Sequence, residues 1–184
     1  MIFKPTPISD VWIVDLEERA DDRGFFARSW CRREFEARGL VANFVQVNVG
    51  YNFKRGTLRG LHFQRSPWQE VKVVRCTRGA LYDVVVDLRR DSPTHGQWVG
   101  AELTEDNHRL LYVPEGCAQG YQTLIDETEM CYQTSQFYAP DHASGVRFDD
   151  PAFGIVWPLP ASVISDADRR WPFHTVELTC RRES

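Results

Sequence analysis

Short runs of apolar and β-branched residues recur along most of this chain, with turn residues between them. We predict strands at about 11–16, 24–30, 43–51, 57–63, 70–77, 80–88, 97–103, 109–113, 119–125 and 128–138. Turn signals such as Arg78-Gly79 and the segment Pro114–Gly116 separate several of these strands. One short charged segment, Cys31–Arg38, is predicted to be a helix that stops at Gly39. The pattern indicates an all-β sandwich, jelly roll or small barrel.

The chain is predicted to form one domain over residues 1–184, because this length suits a single core and no linker or repeat interrupts it. Beyond residue 140 the sequence becomes Pro-rich and loop-like, and we expect residues 140–184 to wrap around the β-core. A net charge of −4, with the arginines dispersed, argues against nucleic-acid binding. A few converging arginines would still suit an anionic small molecule.

The cysteines and the N-terminus predict a cytoplasmic protein. The five cysteines are odd in number and form no CxxC pair, which is typical of a reducing compartment. The first residues lack the apolar core of a signal peptide, and no apolar run approaches membrane-spanning length. We therefore expect no contact with a membrane.

Charged residues stand inside two predicted strands between positions 57 and 77. Lys72 lies within the apolar run Val71–Val74 and is the only lysine after position 54. Strands that face a core seldom contain charge unless the charge is paired or functional, so Lys72 indicates a polar cavity. The alternative is an edge-strand lysine that discourages aggregation.

His62, at the end of the predicted strand 57–63, is a candidate base. A lone strand histidine is usually structural, but Lys72 on the same concave sheet would favour catalysis. Arg59 has the opposite parity to His62 in a regular strand. Both side chains would reach one ligand only if Gly60 hosts a β-bulge, which glycine permits.

Two tyrosines and one aspartate are further candidates for proton transfer. Tyr132 and Tyr138 lie six residues apart, so an unbroken strand would place them on one face. From the residues alone they are more simply core aromatics, although a tyrosine opposite a histidine would complete an acid–base pair. Asp168 is either a solvated loop acid or the carboxylate that orients His62.

A transition-metal site is not expected, because such a site needs several converging histidines or carboxylates. His62 is the only histidine in its strand, and Gln119 stands where a second histidine would help. The remaining histidines lie in predicted turns or tails. The sequence offers even less support for a catalytic cysteine, since no cysteine neighbours a histidine.

Short motifs along nearly the whole chain carry a resemblance to a known family. They are Asp22–Phe26, Asn43–Asn48, Leu58–Gln64, Asp83–Arg89, Ser92–Gly100, Pro114–Gly116, Phe137–Pro140, Asp149–Ile155 and Ser165–Asp168. In this order they resemble the cofactor-independent dTDP-4-dehydrorhamnose 3,5-epimerases and their relatives. The resemblance implies an all-β, double-stranded β-helix (a cupin-like jelly roll) with short peripheral helices. It also implies epimerisation of a nucleotide-diphospho-4-keto-6-deoxy sugar at C3, C5 or both, with no cofactor.

The resemblance also implies roles for individual residues. His62 is the base, Asp168 orients it, Lys72 lies near the C4 oxygen of the sugar, and Tyr132 is the acid on the opposite face. The implied substrate-binding residues are Arg23, Phe26, Gln46, Asn48, Arg59, Gln119 and Tyr138. The arm formed by residues 1–45 is expected at the interface of a two-fold homodimer, where Arg23 and Phe26 cross to the partner's site.

The chain departs from the family pattern at four positions. Arg28 and Ala143 each stand where a glutamate is usual, Gln119 replaces a histidine, and Ala167 replaces a lysine. Because three of these positions belong to the nucleotide end of the family's site, we expect altered nucleotide or sugar specificity with the catalytic set retained. Two other functions remain open: a 3,4-ketoisomerase of a nucleotide 4-keto sugar, and a non-catalytic or metal-dependent cupin that binds a small anion.

Overall fold

A computed structural model describes residues 1–174 of the chain, and it confirms the all-β prediction. The strands are β1 (Ile2–Pro5), β2 (Trp12–Asp15), β3 (Arg19–Asp21), β4 (Gly24–Phe26), β5 (Gln46–Asn52), β6 (Thr57–Gln64), β7 (Lys72–Arg78), β8 (Ala80–Asp87), β9 (Trp98–Thr104), β10 (Leu110–Val113), β11 (Cys117–Thr123), β12 (Thr128–Thr134), β13 (Ala143–Gly145) and β14 (Val163–Ile164). The short helices are α1 (Arg32–Glu36), α2 (Asp166–Arg169) and a 3₁₀ turn at Pro140–His142.

Two sheets pack face to face, as a jelly roll requires. The first has the order β1-β2-β10-β7-β12-β5, and the second has the order β13-β6-β11-β8-β9, with β14 added in parallel beside β6. Val74 on β7 and Leu111 on β10 meet Val85 on β8 and Leu103 on β9 in one buried cluster. The apolar parity of these strands therefore forms the core between the sheets.

The outer face of the first sheet is only partly covered. Phe35 of α1 and Leu40 pack with Val73 in a second buried cluster over β2, β7 and β10. Edge strand β5 lies beyond this cover, and its outward side chains Val47 and Val49 are 64% and 63% exposed. The hairpin of β3 and β4 pairs with neither large sheet.

Some element predictions were wrong. Strands β1 and β3 were not predicted, because one is a short four-residue strand and the other is polar and fully exposed. The predicted strand 128–138 ends at Thr134. Its two partner strands reach their own ends opposite Thr134, at Gln46 and Lys72, and further on the backbone N–H of Tyr138 donates to the Gln46 side chain at 2.8 Å.

The residues after 140 lie along the second sheet as far as they are described. Strand β13 pairs with β6, and a Cβ on Gly145 would lie 2.6 Å from the Trp171 ring, so this glycine permits the contact. Cys180 and the rest of 175–184 lie outside the described residues, and the four described cysteines are free. Within residues 1–174, no helix has the length and apolarity to cross a membrane.

Candidate active site

The sequence-predicted polar residues come together in a cavity of about 550 Å³ that opens between the sheets. It is lined by Gln46, Asn48, His62, Gln64, Glu70, Lys72, Tyr132, Thr134, Tyr138, Ala143, Ser144 and Trp171. A second cavity of about 230 Å³ shares His62, Lys72 and Tyr132 with the first and adds Arg59 and Gln119. The three shared residues therefore lie where the two cavities meet.

A bulge in β6 brings Arg59 and His62 to the same cavity, which was the condition that the sequence set. His62 pairs with Gln119 and Arg59 pairs with Tyr121, so β6 takes three steps where β11 takes two. Gly60 lies in this extra step with φ = +123°, and a Cβ there would approach the Gly120 Cα to 2.6 Å. Only glycine fits this position without displacing β11.

His62 and Asp168 form a tight pair at the cavity wall. The imidazole Nε2 lies 2.6 Å from Asp168 Oδ1, and the side chains are 43% and 7% exposed. When the neutral ring carries its proton on Nε2, it donates a hydrogen bond to the carboxylate, and Nδ1 keeps the lone pair that a base needs. Burial would raise the pKa of Asp168, but the hydrogen bond and charge of His62 hold this pKa below its usual value.

The position of Asp168 follows from its local sequence. The Ser165 hydroxyl accepts the Asp168 backbone N–H at 3.0 Å, which caps α2 and fixes the carboxylate beside β6. The Gly60 N–H donates to the other oxygen at 3.4 Å, and the Trp171 indole N–H donates to Oδ1 at 3.3 Å. The carboxylate is thus held by donors on both sides.

Lys72 and Tyr132 reach the cavity from neighbouring strands of the first sheet. The Lys72 ammonium lies 3.2 Å from Glu70 Oε1 and donates to the His62 carbonyl at 3.4 Å. The pKa of Tyr132 is raised, first by burial and then by the negative charge of Glu70, which keeps the phenol protonated as a proton donor must be.

Asp83 is fully buried beside Gln119, which lines the smaller cavity. Gln119 Nε2 donates to Asp83 Oδ1 at 2.8 Å, while Asp83 Oδ2 is buried without a hydrogen-bond partner. Burial raises the pKa of Asp83 to about 7, although Gln119 and the charge of Lys72 act in the opposite direction. This carboxyl group therefore changes its charge near neutral pH.

The predicted substrate-binding residues divide into two groups. Gln46, Asn48 and Tyr138 line the larger cavity, and Arg59 and Gln119 line the smaller one. Tyr138 is 65% exposed at the mouth although its strand ends before it. The Arg59 guanidinium donates to Asn52 Oδ1 at 2.8 Å, which directs it along the cavity wall.

The chain does not bring Arg23 and Phe26 to its own His62. Both line a separate cavity of about 260 Å³ at the β3–β4 hairpin, where Arg23 pairs with Asp21 at 2.6 Å. Arg28 lies in another cavity and pairs with Glu34 at 3.2 Å. Within one chain, Arg23, Phe26 and Arg28 therefore lie in cavities that do not include His62.

Sequence reasoning missed five residues of the larger cavity: Gln64, Glu70, Thr134, Ser144 and Trp171. Glu70 lies two residues before Lys72, and Gln64 lies two after His62, so strand parity was a usable signal for both. Nothing in the sequence indicated Trp171, which reaches the cavity through the tertiary path of the chain. Among residues 1–174, no group of three or more His, Cys, Asp or Glu side chains could hold a metal ion.

Comparisons with known proteins agree on one family. A family profile described as dTDP-4-dehydrorhamnose 3,5-epimerase matches residues 5–175. A dTDP-4-dehydrorhamnose 3,5-epimerase from Sinorhizobium fredii is 40% identical over 94% of this chain and 89% of its own length. A dTDP-4-dehydrorhamnose 3-epimerase from Streptomyces niveus is 39% identical over 92% of this chain and 82% of its own. A crystal structure of the Bacillus anthracis 3,5-epimerase with TDP and PPi bound superposes with a TM-score of 0.91, at 42% identity, over 94% of this chain and 99% of its own.

Proposed function

The chain belongs to the dTDP-4-dehydrorhamnose 3,5-epimerase family of isomerases, and we propose that it inverts C3, C5 or both of a nucleotide-diphospho-4-keto-6-deoxy sugar without a cofactor. One observation carries the proposal. His62, Lys72 and Tyr132 line the junction of the two cavities, and the buried Asp168 carboxylate contacts His62 from behind at 2.6 Å. These are the base, the cation and the acid that epimerisation beside a carbonyl needs.

The proposed reaction begins at a carbon next to the C4 carbonyl. His62 takes the proton from that carbon, and the electron pair moves to the carbonyl oxygen to give an enolate. Asp168 stabilises the imidazolium that forms. The Lys72 ammonium stabilises the charge on the oxygen, which we propose as the largest electrostatic contribution to the rate.

Inversion is completed from the other face of the sugar. Tyr132 donates its proton to the carbon, and the enolate electrons return to form the carbon–hydrogen bond. His62 then releases its proton to solvent, and Tyr132 is reprotonated, so no redox partner is required. The raised pKa of Tyr132 supports this role, because the phenol remains protonated through neutral pH.

The polar lining suits a nucleoside diphosphate, and experiment has to identify its nucleobase. Arg59 is a cation suited to a pyrophosphate at the smaller cavity, and Tyr138 offers an exposed ring at the mouth of the larger. Ala143 lines the larger cavity with a side chain that makes no hydrogen bond. The names of the relatives make a dTDP-linked sugar the reference substrate.

We also propose a two-fold homodimer with shared sites. The β3–β4 hairpin pairs with neither large sheet, and Phe26 at its end is 73% exposed. Edge strand β5 presents unpaired backbone groups and the exposed Val47 and Val49. A second copy that covers this edge would also bring Arg23 to the anionic end of the neighbouring substrate.

The proposal is tested by supplying dTDP-, CDP-, GDP- and UDP-linked 4-keto-6-deoxy sugars in turn and identifying the products by NMR. We expect a C3 epimer, a C5 epimer or the doubly inverted sugar from at least one of them. A product with its keto group moved to C3 would instead indicate a ketoisomerase. No change in any of the four sugars would contradict the proposal.

A further inference from the structure

Glu70 is a buried carboxylate of the larger cavity that the proposed proton transfers do not use. Its side chain is 11% exposed, and it lies just before β7 on the same side of the chain as Lys72. Both of its oxygens are occupied. Oε1 lies 3.2 Å from the Lys72 ammonium, and Oε2 accepts the Gln64 side-chain N–H at 3.2 Å.

Gln64 fixes this carboxylate to the surrounding chain. Its Nε2 also contacts the carbonyls of Trp68 and Phe137, at 2.9 and 3.1 Å, while its Oε1 accepts the Ala139 N–H at 2.6 Å. Gln64 thereby joins the loop before β7 to the segment after β12. Glu70 cannot move from Lys72 without disturbing that junction.

The Lys72 ammonium has few acceptors that could hold it in place. It is as buried as Glu70, with 10% against 11% side-chain exposure, and its other contact within residues 1–174 is the His62 carbonyl at 3.4 Å. A buried ammonium that loses its partner carboxylate is strongly disfavoured and moves toward another anion or toward solvent. Glu70 is therefore the main partner that holds the Lys72 ammonium in its position.

We propose that Glu70 is a positioning residue that fixes the Lys72 ammonium at the wall of the cavity that Glu70, Lys72 and Tyr132 line together. The inference rests on the proposed epimerase function, because it assigns Glu70 to the cation and the acid of that reaction. The negative charge of Glu70 also raises the pKa of the Tyr132 phenol in the same cavity, so we expect the carboxylate charge, rather than the shape of the side chain, to set the alkaline limit of activity.

The charged and titratable groups around Lys72 and Tyr132 are Arg59 and His62 on β6, Glu70, Asp83 on β8, Tyr121 on β11, Tyr138 after β12 and Asp168 in α2. Arg59 opposes the effect of Glu70 on the pKa of Tyr132, and Tyr138 adds to it more weakly. Asp83 titrates near pH 7, so its ionisation affects the neutral range and not the alkaline limit.

The first test needs no substrate. The ring ¹³C resonance of Tyr132, identified by its loss in Tyr132→Phe, is followed against pH in the wild-type protein and in Glu70→Gln. We expect its midpoint to fall by roughly 0.5–1 pH unit in Glu70→Gln, since a neighbouring negative charge has been removed. An equal midpoint in the two proteins overturns the inference, whatever the enzyme does to sugars.

The second test separates charge from position. In Glu70→Gln the amide oxygen still accepts from Lys72, so we expect most of kcat at neutral pH and an alkaline limb at lower pH. In Glu70→Ala the ammonium loses its acceptor, and we expect kcat to fall about tenfold or more with KM little changed. Glu127→Gln, an exposed carboxylate paired with Arg78, is the matched control and should leave both unchanged.

The two proposals fail differently. If the wild-type protein acts on none of the nucleotide sugars, the proposed function fails and the Tyr132 titration still decides the role of Glu70. If the wild type is active while both Glu70 variants keep its kcat and its pH profile, the inference alone is overturned. Unfolding curves of each variant show whether a lower kcat reflects loss of the folded protein.

Discussion

At the scale of single residues, the proposed chemistry depends on charged groups that the fold holds close together in a largely buried site. Lys72 and Asp168 have side chains only 10% and 7% exposed, so their fields act on a substrate with little screening. Three strands and one short helix supply these groups together with His62 and Tyr132. A small change in any one of them should therefore alter the rate more than the stability.

The first residue-scale prediction concerns Lys72. We expect Lys72→Ala to lower kcat about 10²–10³-fold, as loss of one oxyanion-stabilising donor does. Lys4→Ala is the control. Lys4 lies on β1 at one edge of the first sheet, where its side chain is 55% exposed and pairs with Asp15. Steady-state kinetics on an accepted sugar measure the effect, and a wild-type kcat in Lys72→Ala would contradict the role of the cation.

The second concerns Asp83, whose pKa is raised by burial from 3.8 to about 7. Between these values the folded protein holds a proton that the unfolded chain has lost, so ionisation costs stability as the pH rises toward 7. Asp83→Asn removes that cost. As the pH rises from 5 to 8, we expect the unfolding free energy of Asp83→Asn to increase by on the order of 2 kcal/mol relative to that of the wild type.

Asp87 on the same strand provides the opposite case. Burial would raise its pKa, but hydrogen bonds from Arg89, Ser92 and Thr94 hold it well below the usual value. Its stabilisation is present above the unfolded pKa and is lost only in strong acid. The cost of Asp87→Asn should thus be constant between pH 5 and pH 8 in urea unfolding, and a parallel response of both variants would contradict the assignment for Asp83.

Much of the site was predictable at this scale, for reasons tied to particular residues. His62 and Lys72 stood out because charge is unusual in apolar strands, and Asp168 followed from the family motif. Glu70 was missed although the predicted strand 70–77 includes it and its parity matches that of Lys72. Its burial depends on Gln64 and on the chain after β12, which the local pattern does not contain.

At the scale of elements, the bulge in β6 determines which side chains meet the substrate. From the sequence the bulge was only a condition: Arg59 and His62 have opposite parity, so they would share a cavity only if Gly60 hosted an extra step, and the structure has that step. Strand ends were less predictable. Thr134 ends β12 because the neighbouring strands β5 and β7 reach their own ends opposite it, at Gln46 and Lys72.

Replacing Gly60 should test the bulge. A Cβ at this position would lie 2.6 Å from the Gly120 Cα on a backbone with φ = +123°. We expect Gly60→Ala to lose roughly 2–4 kcal/mol of unfolding free energy, and most activity, as β6 shifts against β11.

Gly96→Ala is the matched control for the bulge. Gly96 also has a positive φ, of +78°, but a Cβ there meets nothing within 4 Å. Its replacement should cost about 1 kcal/mol and leave kcat unchanged. Equal losses in urea unfolding and activity for the two variants would mean that the close approach of β6 and β11 is not what requires Gly60.

At the scale of the whole molecule, one copy of the chain does not bring all the predicted substrate-binding residues to the His62 cavities. Arg23 and Phe26 lie in a hairpin away from their own His62 cavity, and the uncovered edge at β5 is suited to a second copy. The sequence predicted this division only through the family resemblance. A local pattern cannot say that a hairpin will leave its own sheets.

The dimer is tested by subunit mixing. Light scattering should give the mass of a dimer at micromolar concentration, and a monomer mass would exclude a shared site. Arg23→Ala and His62→Ala proteins should each be weakly active or inactive. If sites are shared, a mixed dimer has one site with both lesions and one with neither, so activity should recover. No recovery after verified subunit exchange would mean that Arg23 serves its own protomer.

The most direct test of the central claim is exchange of the sugar's α-hydrogens with deuterated water. The wild-type protein, His62→Ala and Tyr132→Phe are each incubated with an accepted nucleotide 4-keto sugar, and NMR locates the deuterium. The account predicts deuterium at C3, C5 or both with the wild type and none with His62→Ala. With Tyr132→Phe it predicts that exchange is retained to a greater extent than inversion. Wild-type exchange in His62→Ala would contradict the assignment of the base, and with it the proposed mechanism.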